Sequence, residues 1–225
     1  MALFSRLLVP GDTVVEIGGH IGYISLFFKH LVQNGEVWVF EPGENNLPYV
    51  RKNVSKKGIN LVEKAAGDRN GKEVFFLESL TGQNNSFVRG FKGLENNATN
   101  AFVGQPKITE ATVEMVRGDD FINTHSITPS LIKIDVEGFE LSVLNGMAGT
   151  IARCRPKLMV EVQADQEKIY QMLVGGGYVL FDARLSIRLK PRDLRGNIFA
   201  LHSENHRMLL NQLGVDSQKQ PVANS

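Results

Sequence analysis

Apolar positions along this chain follow two periods that replace each other in turn. The stretch Asp12-Thr13-Val14-Val15-Glu16-Ile17-Gly18 is a short β-branched run that enters a glycine and follows the turn pair Pro10-Gly11, which predicts a buried strand. From Ile21 to Val32 the spacing changes to Ile21, Ile24, Phe28, Leu31 and Val32, with Leu26 and Phe27 widening the stripe, as in a helix buried on a broad face. Asn34-Gly35 ends it, and Glu36 to Glu41 reads as a second buried strand. Pro42 is expected to open a helix running to about Lys57, stopped by Gly58, and Asn60 to Ala66 to form a third strand. This alternation implies right-handed parallel crossovers and hence a doubly wound α/β sheet. Later strands are expected at Leu131 to Val136, Lys157 to Val162 and Tyr178 to Phe181, separated by helices from Phe139 to Asn145 and Asp165 to Val174. Gly175-Gly176-Gly177 ends the second of these helices, and Asn197 to His202 reads as a final strand. Lys72 to Glu78 and Ala111 to Val116 predict a small antiparallel addition.

Between those two, Ser79 to Pro106 holds Asn84, Asn85, Asn96, Asn97 and Asn100 with Phe87, Phe91 and Phe102. A connection this long in a compact domain is either a functional lid or a disordered segment, and the phenylalanines are costly to leave in water. The pattern therefore divides the chain into one domain over 1–214, with 79–110 as an insertion that either covers a substrate or is disordered, and a polar tail over 215–225.

Composition narrows the classes. A chain of 225 residues has room for one sizeable α/β domain, and 42% apolar with 22% charged residues is ordinary globular usage. Lys and Arg number 25 against 24 Asp and Glu, which excludes a chain-wide basic surface, so no nucleic-acid partner is expected. The single cysteine, Cys154, excludes an internal disulfide framework and a multi-Cys zinc site. Apolar runs fall short of a bilayer span, and Met1 to Pro10 lacks the basic head and cleavage site of a signal peptide. A soluble, cytoplasmic protein is the expectation.

The candidate chemistry begins at the glycine turn, Glu16-Ile17-Gly18-Gly19-His20-Ile21-Gly22. A turn of this kind after the first strand lets a ligand approach the backbone beside a helix start. A dinucleotide fingerprint would need glycine where His20 stands. Glu16 in a buried run requires a partner or a cleft. Glu41 ends the second strand, where a carboxylate can accept both hydroxyls of a ribose, and Asp68 after the third could receive an adenine amino group. Three acids at successive strand ends suit a nucleoside with a positive charge, a description that a sulfonium cofactor meets. Singly, each acid could also just cap a helix or close a turn.

Pro10 to Tyr23 resembles the opening of the FkbM-type methyltransferases, which depend on S-adenosylmethionine. Val39-Phe40-Glu41-Pro42 with Arg51 to Asn53 resembles their second block, and Ala65-Ala66-Gly67-Asp68 with Gly71 their third. Ile132-Lys133-Ile134-Asp135-Val136-Glu137-Gly138-Phe139-Glu140, followed by Val143-Leu144-Asn145-Gly146, is similar to the family's most specific signature. Asp119-Asp120-Phe121 ahead of it and Leu158 to Glu161 behind it fall in the expected order. The resemblance implies a Rossmann-like class I methyltransferase: a seven-stranded, mostly parallel sheet whose last strand is antiparallel, with S-adenosyl-L-methionine at its carboxyl edge. It also implies O-methylation of a small-molecule or glycan acceptor, a hydroxyl on a sugar, glycan or secondary metabolite. The sequence departs from the family in having Gly19-His20 for alanine-asparagine and Glu16 for aspartate. The short run before the first strand leaves closure of the cleft to other loops or to a homo-oligomer.

The resulting site assignment puts Glu16, Gly18, Gly19, His20, Gly22, Glu41, Asp68 and Asp135 around the cofactor. Methyl transfer from a sulfonium is an in-line displacement, and an alcohol must lose its proton as the bond forms. Asp135, Glu137 and Glu140 are the candidate catalytic residues, with Asp135 near the cofactor's charged end and Glu137 or Glu140 as base. Glu140 alternatively stabilises the first turn of the following helix. Glu161 could join Asp135 in holding a hard divalent cation, but no feature demands one, and no metal is assigned. His125, and His202 with His206, form no metal pattern. Arg184, Arg188, Lys190, Arg192 and Arg195 form a basic segment that is either a solvated face or a contact to an anionic acceptor. Asn53-Val54-Ser55, Asn84-Asn85-Ser86 and Asn97-Ala98-Thr99 match the glycosylation pattern by chance. Two other functions use the same sheet: a nicotinamide-dependent oxidoreductase, and a non-catalytic cofactor-binding module.

Overall fold

A computed structural model describes residues 1–91 and 107–216. Asn96, Asn97, Asn100 and Phe102, the Asn97-Ala98-Thr99 pattern and most of the tail lie outside the described residues. The centre is a seven-stranded sheet of order β3-β2-β1-β7-β8-β10-β9. Its strands are β1 (Val14–Ile17), β2 (Val37–Phe40), β3 (Ile59–Val62), β7 (Leu131–Ile134), β8 (Lys157–Val162), β9 (Tyr178–Asp182) and β10 (Gly196–His202). The pairs from β3 to β8 are parallel, and β10, the last strand, runs antiparallel to both β8 and β9. This is the doubly wound architecture the pattern implies.

Burial on both faces explains why the central strands read as unbroken apolar runs. Val15, Ile17, Ile132, Ile134, Leu158 and Val160 point to one face, under α4 (Gly118–Thr124), α5 (Glu140–Gly146), α6 (Ala148–Cys154) and α7 (Gln166–Gly175). Val14, Val37, Leu131, Met159 and Phe199 point to the other, under α1 (Phe4–Leu7), α2 (Tyr23–Val32) and α8 (Arg207–Leu213). Phe28 of α2 is fully buried and meets Phe4 edge-on at 4.9 Å, a side chain whose burial contributes about 2–3 kcal/mol. Helices α1, α4, α6 and α8 span one or two turns each, too short for periodicity to reveal them. Among the described residues no helix is long and apolar enough to cross a membrane.

Two expected elements take other forms. The strand expected from Asn60 to Ala66 is two strands in different sheets. Glu63 and Lys64 interrupt it, pairing with Arg51 and Glu114, and β4 (Ala65–Gly67) joins a second sheet of order β4-β6-β5. There β5 (Gly71–Glu78) and β6 (Ile108–Arg117) form the expected antiparallel pair. The helix expected from Pro42 begins at Leu47 and ends at Val54 (α3). The residues before it wrap round the Glu41 carboxylate: Gly43 N–H donates to its Oε1 at 2.8 Å and Asn46 Nδ2 at 3.2 Å.

Candidate active site

The carboxyl ends of β1, β2, β7 and β8 surround a cavity of about 530 Å³. The second sheet closes one side with Ala65, Ala66 and Phe75, and the segment after β5 adds Gln83, Asn85 and Phe87.

Gly18 begins the turn at the end of β1. Its φ is +86°, and a Cβ there would stand 1.8 Å from the Asp135 carbonyl oxygen. Only glycine lets the β1 and β7 ends approach this closely. Gly18 and Gly19 both donate to the Phe40 carbonyl, at 3.1 and 3.0 Å. His20 follows with φ +49°, its N–H donating to Glu41 Oε2 at 2.7 Å and its Nε2 lying 3.0 Å from the Thr81 carbonyl. The turn thus joins the second strand's acid to the segment that covers the cavity.

Two charged residues stand in otherwise apolar strands, and the register sets them side by side: Glu16 of β1 is opposite Lys133 of β7. Lys133 Nζ lies 3.2 Å from Glu16 Oε1 and 3.0 Å from Asp135 Oδ2, and Ser25 Oγ donates to Glu16 Oε2 at 2.5 Å. Burial alone would lower the Lys133 pKa, but the two carboxylates more than offset this and hold it above the usual lysine value. Burial works against Asp135 too, yet the Lys133 charge and a hydrogen bond from Glu161 keep its pKa below the ordinary aspartate value.

Asp135, Glu137 and Glu161 converge, each with a carboxylate oxygen within 4.8 Å of the others. The hydrogen bond to Asp135, then burial, push Glu161 up to about 8, so the pair shares a proton that resides on Glu161 near neutrality. Burial raises Glu137 to about 7; Gln163 Nε2 donates to its Oε2 at 2.5 Å, and its backbone is held at φ +50°. Burial likewise raises Glu41 to about 7.

Of the residues expected here, Glu16, Gly18, Gly19, His20, Glu41, Asp135 and Glu137 line the cavity. Gly22, Asp68 and Glu140 do not. Gly22 packs toward Val50 and Val54 of α3. Asp68 follows β4, which belongs to the second sheet, and pairs with Arg69 at 2.9 Å, while Ala65 and Ala66 take the cavity-facing positions. Glu140 is fully buried and accepts from Gly138 N–H at 2.7 Å, tying down the turn that carries Glu137.

Lys133 is a cavity residue to which the sequence assigned no role, and Glu161 was weighed only as Asp135's partner on a divalent cation, not as a proton carrier. The signal for Lys133 was a cation inside a buried strand, the counterpart of the acid at Glu16. The described part of the insertion is ordered against the site. Phe87 packs between Phe75 and Phe139 at 4.5 and 4.6 Å, Ser86 Oγ donates to the Glu137 carbonyl at 2.7 Å, and Asn46 Nδ2 donates to the Gly82 carbonyl at 2.9 Å.

Residues 16–187 match the Methyltransferase FkbM domain. No curated protein matches the sequence. Among solved structures, the chain is similar to methyltransferase FkbM from Methylobacillus flagellatus KT, at 18% identity and a TM-score of 0.53, over 84% of this chain and 43% of that one. That likeness shows the shared fold, and this chain spans less than half of that protein's length. Precorrin-6y C5,15-methyltransferase from Geobacter metallireducens GS-15 is 15% identical with a TM-score of 0.47, over 88% of this chain and 83% of that one. Aeropyrum pernix fibrillarin, solved with natively bound S-adenosyl-L-methionine, is 11% identical with a TM-score of 0.47, over 88% and 71%.

Proposed function

The chain belongs to the FkbM methyltransferase family, and from that premise we propose that it is an S-adenosyl-L-methionine-dependent O-methyltransferase acting on a hydroxyl of a glycan, sugar or secondary-metabolite acceptor. Family membership decides for methyl transfer over hydride transfer. The observation that carries the finer reading is the convergence of Asp135, Glu137 and Glu161 beside the glycine turn in one cavity.

The residues present fit the cofactor. Acids dominate the charged lining, which suits a sulfonium, and Lys133, the cation among them, is already engaged by Glu16 and Asp135. Glu41 Oε1 accepts from Gly43 and Asn46, while Oε2 accepts from His20 alone, so Oε2 is the oxygen with capacity for a ribose hydroxyl. When bound, the cofactor supplies an electrophilic methyl group. Asp135, kept ionised by Lys133, presents negative charge to the sulfonium end. Glu137 takes the acceptor's hydroxyl proton, since its pKa near 7 makes it half ionised at neutral pH and still basic. Gln163 orients that carboxylate, and Phe87 with Phe139 presents an apolar wall against which an acceptor ring can lie.

Methyl transfer from labelled S-adenosyl-L-methionine to a panel of sugars and hydroxylated metabolites tests this, with calorimetry of S-adenosylhomocysteine binding alongside. Glu137→Gln is expected to lose turnover about 10²–10⁴-fold while keeping product affinity. Full turnover in that variant would remove Glu137 as the base. Absence of cofactor binding by the wild type would remove the whole reading.

A further inference from the structure

We infer that the loop 183–195 is an anion subsite of the methyl acceptor, so that the acceptor carries a phosphate or carboxylate on the moiety beyond its reacting hydroxyl. The inference deepens the proposed function and rests on the acceptor entering beside Glu161.

The loop holds five Lys and Arg against one Asp in a chain whose net charge is only +1, so the rest of the molecule is slightly negative. Topology puts both ends of the loop at the carboxyl edge of the sheet, while its middle folds back on the outer side of β9, where Ile187 pairs with Phe181. Strands β9 and β10 are joined by the loop at the carboxyl edge of the sheet: Gly196 pairs with Val162 and Asn197 with Glu161, a cavity residue. Neighbouring strands lie about 5 Å apart, so the loop begins, after β9, about 10 Å from β8 and ends, before β10, about 5 Å from it. The two ends, next to Arg184 and Arg195, are therefore within about one Debye length of β8 at ~0.1 M salt.

The loop is held rigidly at its base. Asp182 Oδ1 accepts the N–H groups of Arg184 and Ser186, both at 2.9 Å, and its other oxygen pairs with Arg188. Tyr170 donates its hydroxyl to the Leu189 carbonyl at 2.6 Å, and Leu194 is fully buried. Arg188 is thereby committed to the fold. Arg184, Lys190, Arg192 and Arg195 are exposed, and none forms an ion pair among the described residues.

The arrangement also sorts charge by position. An anionic group placed among Asp135, Glu137 and Glu161 would be repelled, whereas one held a strand or two further along the edge meets cations and leaves the hydroxyl facing the carboxylates. Arginine's forked donors suit phosphoryl or carboxyl oxygens.

The test compares glucose 6-phosphate, glucuronate and glucose as calorimetric probes on the whole chain saturated with S-adenosylhomocysteine. The comparison is repeated on the variant R184Q/K190Q/R192Q/R195Q. Wild-type protein should bind at least one anionic probe about tenfold tighter than glucose, more so at low salt. The variant should lose that preference while retaining S-adenosylhomocysteine affinity. Preference for the phosphate or for the carboxylate identifies which anion the acceptor carries. Equal binding of all three probes, or a preference that survives in the variant, overturns the subsite. So does binding of the wild type to phosphatidylglycerol vesicles without discrimination among the saccharides, which would make the loop a membrane contact. Loss of S-adenosylhomocysteine binding in wild-type protein, with the anion preference intact, would instead defeat the cofactor reading and leave the subsite standing.

Discussion

Two walls of the same cavity are built on different principles. One wall is the carboxyl end of β1, β7 and β8, where Glu16, Lys133, Asp135 and Glu161 are ionisable groups fixed on, or just past, strands of the sheet. The facing wall is the segment after β5, whose backbone is held by side chains reaching across the sequence, from Asn45 and Asn46 to Glu78 and Gly82. The first wall places charge rigidly and draws on the stability of the whole sheet. The second is a local structure held by contacts outside the seven-stranded sheet. Chemistry that needs charges held in place belongs on the first, and recognition that differs from one acceptor to another belongs on the second.

The sharpest way to break that contrast is to remove the cation from the first wall. Lys133→Met leaves Glu16 and Asp135 as neighbouring acids with no counter-charge, and Glu16 has almost no exposure. A loss of about 3–5 kcal/mol is expected in urea unfolding, with partial recovery in the double variant Glu16→Gln/Lys133→Met. Cofactor binding should fall with it, because Asp135 loses the charge that keeps it ionised. A loss below about 1 kcal/mol would mean that water reaches the cluster and that the wall is no more rigid than its neighbour.

The same contrast separates what could be read from the sequence from what could not. β-branched runs ending in glycine or acid identified β1, β2, β7 and β8, because parallel strands buried on both faces leave a continuous apolar signature. Glu16 stood out as a charge inside such a run, whereas Lys133 was passed over, because their partnership depends on the register between β1 and β7. Ala65-Ala66 misled for a related reason. Following Val62 so closely, they read as one strand, and that reading carried Asp68 to an edge it does not reach. Glu140 lay in the most specific signature, yet spacing gives no indication that its carboxylate turns inward to Gly138. The 79–91 segment was least legible, because its order comes from contacts tens of residues away.

A gentler substitution probes the second wall. Asn46 is nearly fully buried and donates both to Glu41 and to the Gly82 carbonyl. Asn46→Ala should cost about 1–2 kcal/mol of global stability. Its larger effect should be local, with faster proteolytic cleavage within residues 79–91 while hydrogen exchange in β1 and β7 stays slow. If the strands lose protection as fast as the segment does, the two walls form one cooperative unit and the distinction fails.

The smallest effect expected is a pH dependence that belongs to the first wall alone. Glu161 has its pKa raised from 4.5 to about 8, by the hydrogen bond to Asp135 first and burial second. The folded state therefore binds this proton more tightly than the unfolded chain does. The resulting stabilisation is complete below about pH 4.5 and is lost as pH rises through about 8. Asp135 is shifted the other way, so its contribution changes only at acid pH, below this window. Glu161→Gln keeps a hydrogen-bond donor facing Asp135 and cannot ionise. Between about pH 5 and pH 9, wild-type stability should fall relative to the variant by about 1–2 kcal/mol, allowing for partial solvent screening. Parallel unfolding curves across that range would show that Glu161 is not the proton carrier. The rigid wall would then act through fixed charges only, with Glu137 as its one group titrating near neutrality.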